Sequence, residues 1–349
     1  MTENSVVSIA LDNIANAHRE GAHVIFSERN VAEHLLSIGE SLGGRTKQTL
    51  RNVINRYAQL AEFAETVEVK IFIGLFDNIH AVIENGKRFI KIPVACVTSS
   101  LLQKPYLLVE NIDDAKFYGF LTTELASKLN FSGHLSFEAY NGGGNTTGNV
   151  YEHLKNSTDR LCLCIVDSDR RFPTSKPGET ANKVLASDKT DPSPLTESFV
   201  LPVCSVENLI PWKWLEDAYS QSEDMKKRLK MYECHHVDDV WPFLQLKKDI
   251  RCADLRETQK AFSVFWSDKL KCRDDVARCV AGGACTKRDD CSTTFLAAVS
   301  GSPLGAVIPK LSERTIGACD AVPTVKAAWQ SIAQLVSAWS CGGPQLSAG

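Results

Sequence analysis

The spacing of apolar positions changes character near residue 105 and again near residue 215. Over the first hundred residues it predicts helices at 6–20 and 30–39, a break at Gly43-Gly44, and then RTKQTLRNVINRYAQLAEFAE, where apolar side chains recur every three to four residues as on one face of a helix. VEVKIFIGLF, HAVIE and RFIKIPVACVT alternate as strands do, and Asn85-Gly86 between the last two favours a tight hairpin. This N-terminal module, 1–103, therefore reads as helices followed by a small antiparallel sheet.

From Pro105 the order becomes strand, helix, strand, helix, strand: YLLVE, AKFYGFLTTELASKLN, LSFEAY, GNVYEHLKN, LCLCIVD. Such alternation predicts a parallel sheet with right-handed crossovers, an α/β unit over 104–215. TSKPGETANKVLASDKTDPSPL, rich in Pro, Ser, Thr and Lys, reads as an exposed loop; FVLPVCSVE reads as a further strand and NLIPWKWLEDAY as the start of a helix. The remainder, 216–349, reads as mainly helical.

Composition narrows the class. With 44% hydrophobic and 23% charged residues the 349-residue chain is globular and long enough for two or three cores. A formal net charge of −3 removes the strongly basic signature of many nucleic-acid binders, so phosphate contact would need a local patch or a metal. There are twelve cysteines, but the opening MTENSVVSIALDNIANAHRE lacks a basic stretch followed by an apolar core, which favours reduced thiols in a cytosol over a secreted disulfide scaffold. The longest apolar runs are strand-length, so no membrane passage is expected.

The chemistry lies in acidic residues at strand ends. Glu110 closes YLLVE, and Asp167 and Asp169 close LCLCIVDSD, so in a parallel sheet all three leave the carboxyl edge, where ligands bind. Two carboxylates two residues apart repel each other unless a cation intervenes, and Mg²⁺, or Mn²⁺ in its place, suits an oxygen-only site that also takes phosphate. Glu207, in SVENLIP after the next strand, adds a further carboxylate.

On these residues the chain resembles a known family. LLVENIDDAKFY resembles the toprim motif with a strand-terminal Glu and an Asp four positions on, IVDSDRRFP resembles its Asp-x-Asp motif, and Asn141-Gly142-Gly143-Gly144 resembles the glycine turn after the second toprim strand. SVENLIP resembles the Glu-Asn motif of OLD-type and related bacterial antiphage nucleases. The resemblance covers about 105–215. It implies a toprim-like, Rossmannoid sheet in which Glu110 is the general acid or base as well as a ligand, Asp114 steadies the site, and Asp167, Asp169 and Glu207 hold metal. It further implies a Mg²⁺-dependent endonuclease on DNA or RNA, a toxic defence effector controlled by a partner; the alternative is an idle toprim-like regulatory subunit. The departure is Asn111, where the family has Gly. No G-x-x-x-x-G-K-[ST] run occurs, so an ATPase or sensor would be a separate polypeptide. A homo-oligomer is left open.

Other candidates carry bland readings beside sharp ones. Arg170 and Arg171 adjoin the Asp-x-Asp and are candidates for phosphate contact; Lys226, Lys227 and Arg228 on a predicted helix could guide nucleic acid or be a solvated face, as could Arg45, Lys47, Arg51 and Arg56. Cys272, Cys279, Cys285 and Cys291 lack a close C-x-x-C pair, which favours reduced thiols over zinc. His235-His236 point different ways in any regular element, and Trp212 and Trp214 read as core or interface residues.

Overall fold

The computed structural model describes residues 3–39, 42–129, 131–255, 260–270, 291, 293–299, 301–317 and 319–345. It forms two compact units, each discontinuous in sequence: Met1–Ile165 with Lys183–Phe199 and Ile332–Gly349, and Val166–Asn182 with Val200–Ser331.

The first unit opens with α1 (Glu3–Arg19), α2 (Arg29–Ile38), α3 (Gly44–Asn55) and α4 (Tyr57–Thr66). The long amphipathic pattern is thus two helices, broken at Arg56. Ala32, Leu42 and Leu50 form a small core among them with Leu11, Leu35, Leu36 and Ile54. Next come β1 (Val69–Gly74), β2 (His80–Glu84) and β3 (Lys87–Pro93), ordered β1-β3-β2. The hairpin expected at Asn85-Gly86 joins β2 to β3, with both residues at positive φ, 52° and 78°. The expectation of an all-antiparallel sheet is corrected: β1 runs parallel to β3, Ile71 opposite Ile90.

The principal sheet is built from β4 (Tyr106–Val109), β6 (Glu138–Asn141), β7 (Cys162–Val166) and β8 (Thr196–Val200), in the order β6-β4-β7-β8 with all strands parallel. This is a mixed α/β architecture. Leu107, Leu108, Val109, Leu163, Cys164 and Ile165 are buried, as expected of strands covered on both faces, which is why they read as unbroken apolar runs. The crossovers are α5 (Ile112–Leu125) and α6 (Thr147–Ser157), which bury Phe117, Tyr118, Leu121, Tyr151 and Leu154. The short β5 (His134–Leu135) precedes β6. The segment read as a loop contains a third helix, α7 (Glu179–Thr190), anchored by buried Ala181 and Val184. With β4 central and the chain moving first to β6 and then to β7, the sheet order reverses between β4 and β7. In open parallel sheets such a switch point opens a crevice at the carboxyl ends of the two strands.

The second unit carries α8 (Trp212–Ala218), α9 (Glu223–Lys230), β9 (Ile250–Arg251), α10 (Ala261–Lys269), β10 (Thr294–Leu296) and α11 (Pro303–Val307). β9 pairs antiparallel with β10. α12 (Pro323–Trp339) leads to β11 (Cys341–Gly342), which pairs with β5. Among the described residues no helix is long and apolar enough to cross a membrane.

Candidate functional site

Val109 and Ile165 face each other across the parallel pair β4 and β7. Glu110 follows the last residue of β4, and Asp167 follows the last residue of β7.

Around β4 the backbone is closely tied. Gly142 N–H donates to the Val109 carbonyl at 2.7 Å and Gly144 N–H to the Glu110 carbonyl at 3.0 Å, so the glycine turn grips the strand end. Gly143 and Gly144 have φ of 75° and 66°, which accounts for glycine there, and a Cβ on Gly142 would overlap the Thr147 side chain. Asn111 has φ −135° and needs no glycine; it is the N-cap of α5. Its Oδ1 accepts from Asp113 N–H at 3.1 Å, and Asp114 Oδ2 accepts from Asn111 N–H at 2.9 Å, closing a capping box. The side chain of Asp114 thus serves the start of the helix and is buried. Glu110 is half-buried. Burial, then Cys162, Asp188 and Glu110 in turn, push the Cys164 thiol well up from its ordinary value.

The other carboxylates lie in the second unit. Asp167 Oδ1 accepts from Val206 N–H at 3.0 Å, which ties the Asp-x-Asp loop to the turn bearing Glu207. Ser168 is buried and donates to the Val203 carbonyl at 2.6 Å. Asp169 is left-handed, φ 54°, with its N–H on the Cys204 carbonyl at 2.8 Å. A Cβ on Gly178 would overlap the Asp169 carboxylate, so glycine there makes room for it.

Glu207 lies in a 3₁₀ turn, Val206–Leu209, begun by Ser205. Asn208 Oδ1 accepts from Ser205 N–H at 2.9 Å, and its Nδ2 donates to the carbonyls of Trp241 and Leu244 at 2.8 and 2.7 Å. Trp241 Nε1 returns a bond to the Asn208 carbonyl at 2.8 Å. Asn208 therefore fixes the turn on which Glu207 rides. Glu207 is 2% exposed; its Oε1 lies 2.7 Å from Lys247 Nζ, and its Oε2 is buried with no hydrogen-bond partner among the described residues. Burial first, then Asp167, Asp169 and Glu207, push the Cys204 thiol up to about 12, against the opposing charge of Arg171. One buried thiol thus feels Asp167, Asp169 and Glu207 together.

Among the described residues no three His, Cys, Asp or Glu side chains converge as a metal cluster. A buried carboxylate oxygen without a partner is costly unless a cation or donor meets it, and among the described residues Oε2 of Glu207 is such an atom, the one feature of the donor set that suits a hard cation.

The basic candidates divide. Arg171 lies over the Phe262 ring, 4.5 Å to its centroid, and its carbonyl accepts from Trp266 Nε1 at 2.8 Å. Arg170 has a buried Nε without a hydrogen-bond partner among the described residues. Lys226 pairs with Glu223 at 2.8 Å and Arg228 with Asp224 at 2.9 Å, while Lys227 is exposed. The acids of the first turn of α9 thus already neutralise two of its cations, as on a solvated helix face. His236 stacks on Trp212 at 4.7 Å, Trp214 is buried, and His235 is buried with Asp238 at 3.8 Å from its Nδ1. Cys291 is buried, its thiol 3.4 Å from Thr293 Oγ1; Cys272, Cys279 and Cys285 lie outside the described residues.

Sequence reasoning missed Lys247 and the anchoring role of Asn208. The Ser-x-x-Asn spacing of SVENLIP carries the second as a capping-box signal. Nothing local marks the first. Compared with family models, with curated proteins and with solved structures, the chain matches none.

Proposed function

We propose that this chain is a Mg²⁺-dependent endonuclease of toprim type, with Mn²⁺ able to replace Mg²⁺, that cleaves phosphodiester bonds in DNA or RNA. The observation that carries the reading is that Glu110 and the Asp167/Asp169 pair follow adjacent parallel strands at the switch point of the sheet. The partnerless Oε2 of Glu207 supports a cation in the same neighbourhood of the chain. The toprim resemblance assigns Glu110, Asp167, Asp169 and Glu207 as the residues that would hold the metal. When bound, Mg²⁺ would neutralise charge on the phosphoryl oxygens. Glu110 would manage the proton of the attacking or leaving oxygen, as a positioned carboxyl group can. Asp114 holds the helix start that follows Glu110, and Arg170 and Arg171 are the nearest cations in sequence for substrate phosphate.

Such an activity in a cytosol would harm its host, so we read the chain as an effector of bacterial antiphage defence restrained by a separate ATPase or sensor. The test is incubation of the purified chain with plasmid DNA and with total tRNA, in Mg²⁺ and in EDTA. Metal-dependent cleavage by the wild type that Glu110→Gln abolishes supports the reading; cleavage that the variant retains overturns it.

A second reading is favoured by one observation. Lys247 already neutralises Glu207, as in a toprim-like module that binds or regulates without cutting. Calorimetry separates the two, since an idle module of this kind takes up no Mg²⁺.

A further inference from the structure

The sheet β1-β3-β2 has two unlike faces. Arg88, Ile90 and Ile92 share one. Ile90 and Ile92 are fully buried, and Arg88 packs into its own unit, 3.4 Å from Glu197 and over the Trp339 ring at 5.3 Å. By strand alternation the opposite face carries Lys70 and Phe72 from β1 and Lys87, Phe89 and Lys91 from β3, with His80 and Val82 of β2 alongside.

Three features set this face apart. Its rings meet in two pairs: Phe72 and Phe89 edge to face at 5.6 Å, and Phe76, just past β1, with His80 at 5.9 Å. Lysines are interleaved with the rings, Lys70 over Phe89 at 5.6 Å and Lys91 over Phe76 at 6.0 Å. Phe72 is 48% exposed and the adjoining Leu75 is fully exposed. Among the described residues neither Lys70 nor Lys91 has a carboxylate at ion-pair distance. Acids border the face as well: Glu84, opposite Lys87 in the register, Glu68, two residues before Lys70, and Glu65, 4.0 Å from Lys87, whose ammonium also donates to the Glu65 carbonyl.

We propose that this face binds single-stranded nucleic acid, with bases stacking on Phe72, Phe89 and Phe76 and backbone phosphates meeting Lys70, Lys87 and Lys91. A flat sheet offering rings for stacking between flexible cations is the physical requirement for holding an unpaired strand without reading its sequence. A buried protein interface would favour fewer free ammonium groups at its centre. Burial and the neighbouring Lys87 lower the pKa of Lys70, while Glu65 opposes them, so a phosphate would relieve a like-charge contact already present. The inference uses none of the carboxylates of the proposed nuclease site, and its test runs without metal.

The test is fluorescence anisotropy in EDTA with labelled oligo-dT and oligo-U of about 15 nucleotides, within the span one such module covers, and with a duplex of matching length. We expect both single strands to bind and the duplex to bind more weakly. Phe72→Ala should weaken binding about 5- to 150-fold, the range that the loss of one stacked base gives, and Phe72→Trp should restore it. Lys70→Gln with Lys91→Gln should lower the slope of log affinity against log salt by roughly 1.4, for two phosphates. Ile38→Ala, at an exposed position of α2, should change nothing. Melting curves of each variant separate lost binding from lost folding. Equal affinity for duplex, no binding to either strand, or binding indifferent to both the Phe72 and the lysine variants would overturn the proposal. So would a wild-type dimer in sedimentation that Phe72→Ala dissociates while no oligonucleotide binds, since the occupant would then be a second copy of the chain.

Discussion

Lys247 Nζ lies 2.7 Å from Oε1 of Glu207, a carboxylate that is 2% exposed and whose other oxygen has no hydrogen-bond partner among the described residues. The lysine side chain is half in solvent, so the pair is asymmetric: a flexible cation reaches in to a fixed, buried anion. Burying the anion alone would cost several kcal/mol, and the ammonium offsets part of that.

Lys247→Met should therefore destabilise the protein by about 1.5–3 kcal/mol, the range for a hydrogen bond to a charged group. The loss should fall short of that for a fully buried pair because Lys247 is half exposed. If Oε2 faces a cation site, millimolar Mg²⁺ should raise the melting temperature of Lys247→Met more than that of wild type, since it can take over the role of the ammonium. Equal Mg²⁺ shifts in the two proteins would mean that Glu207 is held by Lys247 for structure alone.

Glu110→Gln keeps size and hydrogen-bonding shape but cannot exchange a proton. Cleavage should fall by about 10²–10⁴-fold, the usual share of a general acid or base, and toxicity on expression should fall with it. Growth curves at matched protein level, alongside a gel cleavage assay, check both. Undiminished toxicity from a folded variant would remove Glu110 from the mechanism.

The residues that were legible were those whose signal is local. The apolar runs before Glu110 and before Asp167 form the buried strands expected of them, and the Asn85-Gly86 hairpin forms as its turn chemistry dictates. The pairing of β1 with β3 was not legible, because alternation says which face a residue takes and nothing about which strand lies alongside. α7 was hidden between Pro177 and Pro192 by its polar composition; Ala181 and Val184 are its only fully buried apolar anchors, too few to make a visible stripe. Lys247 stands forty residues from Glu207, and a pairing at that distance leaves no mark on spacing.

Asp114 separates structure from chemistry. It closes the capping box of α5 through Asn111 N–H, so Asp114→Ala should cost about 0.5–2 kcal/mol, whereas Asp114→Asn, which can still accept that bond, should cost only a few tenths. If Asp114 only steadies the helix, Asp114→Asn keeps near-normal cleavage. A large loss of cleavage in a fully stable Asp114→Asn would assign it a direct chemical part.

Stability should fall on both sides of neutrality. Burial, only partly offset by the Gln103 carbonyl, holds the His23 imidazole down at about 4, against 6.5 for a free histidine. The folded state thus binds fewer protons than the unfolded chain between those values, and stability drops as pH falls through that window. Burial also pushes Cys162 and Cys204 up to about 12, with Asp188 the next cause for the first and Asp167 for the second. These thiols stay neutral in the fold while the unfolded chain ionises from about pH 9, so their contribution is complete below that and is lost toward pH 12, at up to about 1.4 kcal/mol per pH unit for each group. Urea midpoints across pH 4–11 check this. A midpoint that stays level from pH 8 to 11 would contradict the buried thiols.

Asp169 offers the sharpest test, because its backbone and its charge can be varied apart. At φ 54° it occupies the left-handed region, which Asn tolerates and Ala resists by roughly 1–2 kcal/mol. Asp169→Asn should therefore preserve the loop, including the N–H bond to the Cys204 carbonyl, while removing one of the charges that surround Cys204. Relieved of repulsion from Asp167, the metal-free variant should be as stable as wild type or slightly more so. Asp169→Ala should be less stable than both in EDTA, for the backbone reason alone. A bound ligand stabilises by RT ln(1 + [L]/Kd), about 2.7 kcal/mol at a hundredfold excess over Kd, and by nothing where binding is lost. The Mg²⁺-induced rise in melting temperature should then shrink or vanish in Asp169→Asn. If Asp169 serves only the turn, the amide replaces it without consequence, and melting curves of variant and wild type shift together from EDTA to Mg²⁺. That outcome would remove Asp169 from the metal site, and with it the reading of this strand end as an Asp-x-Asp motif.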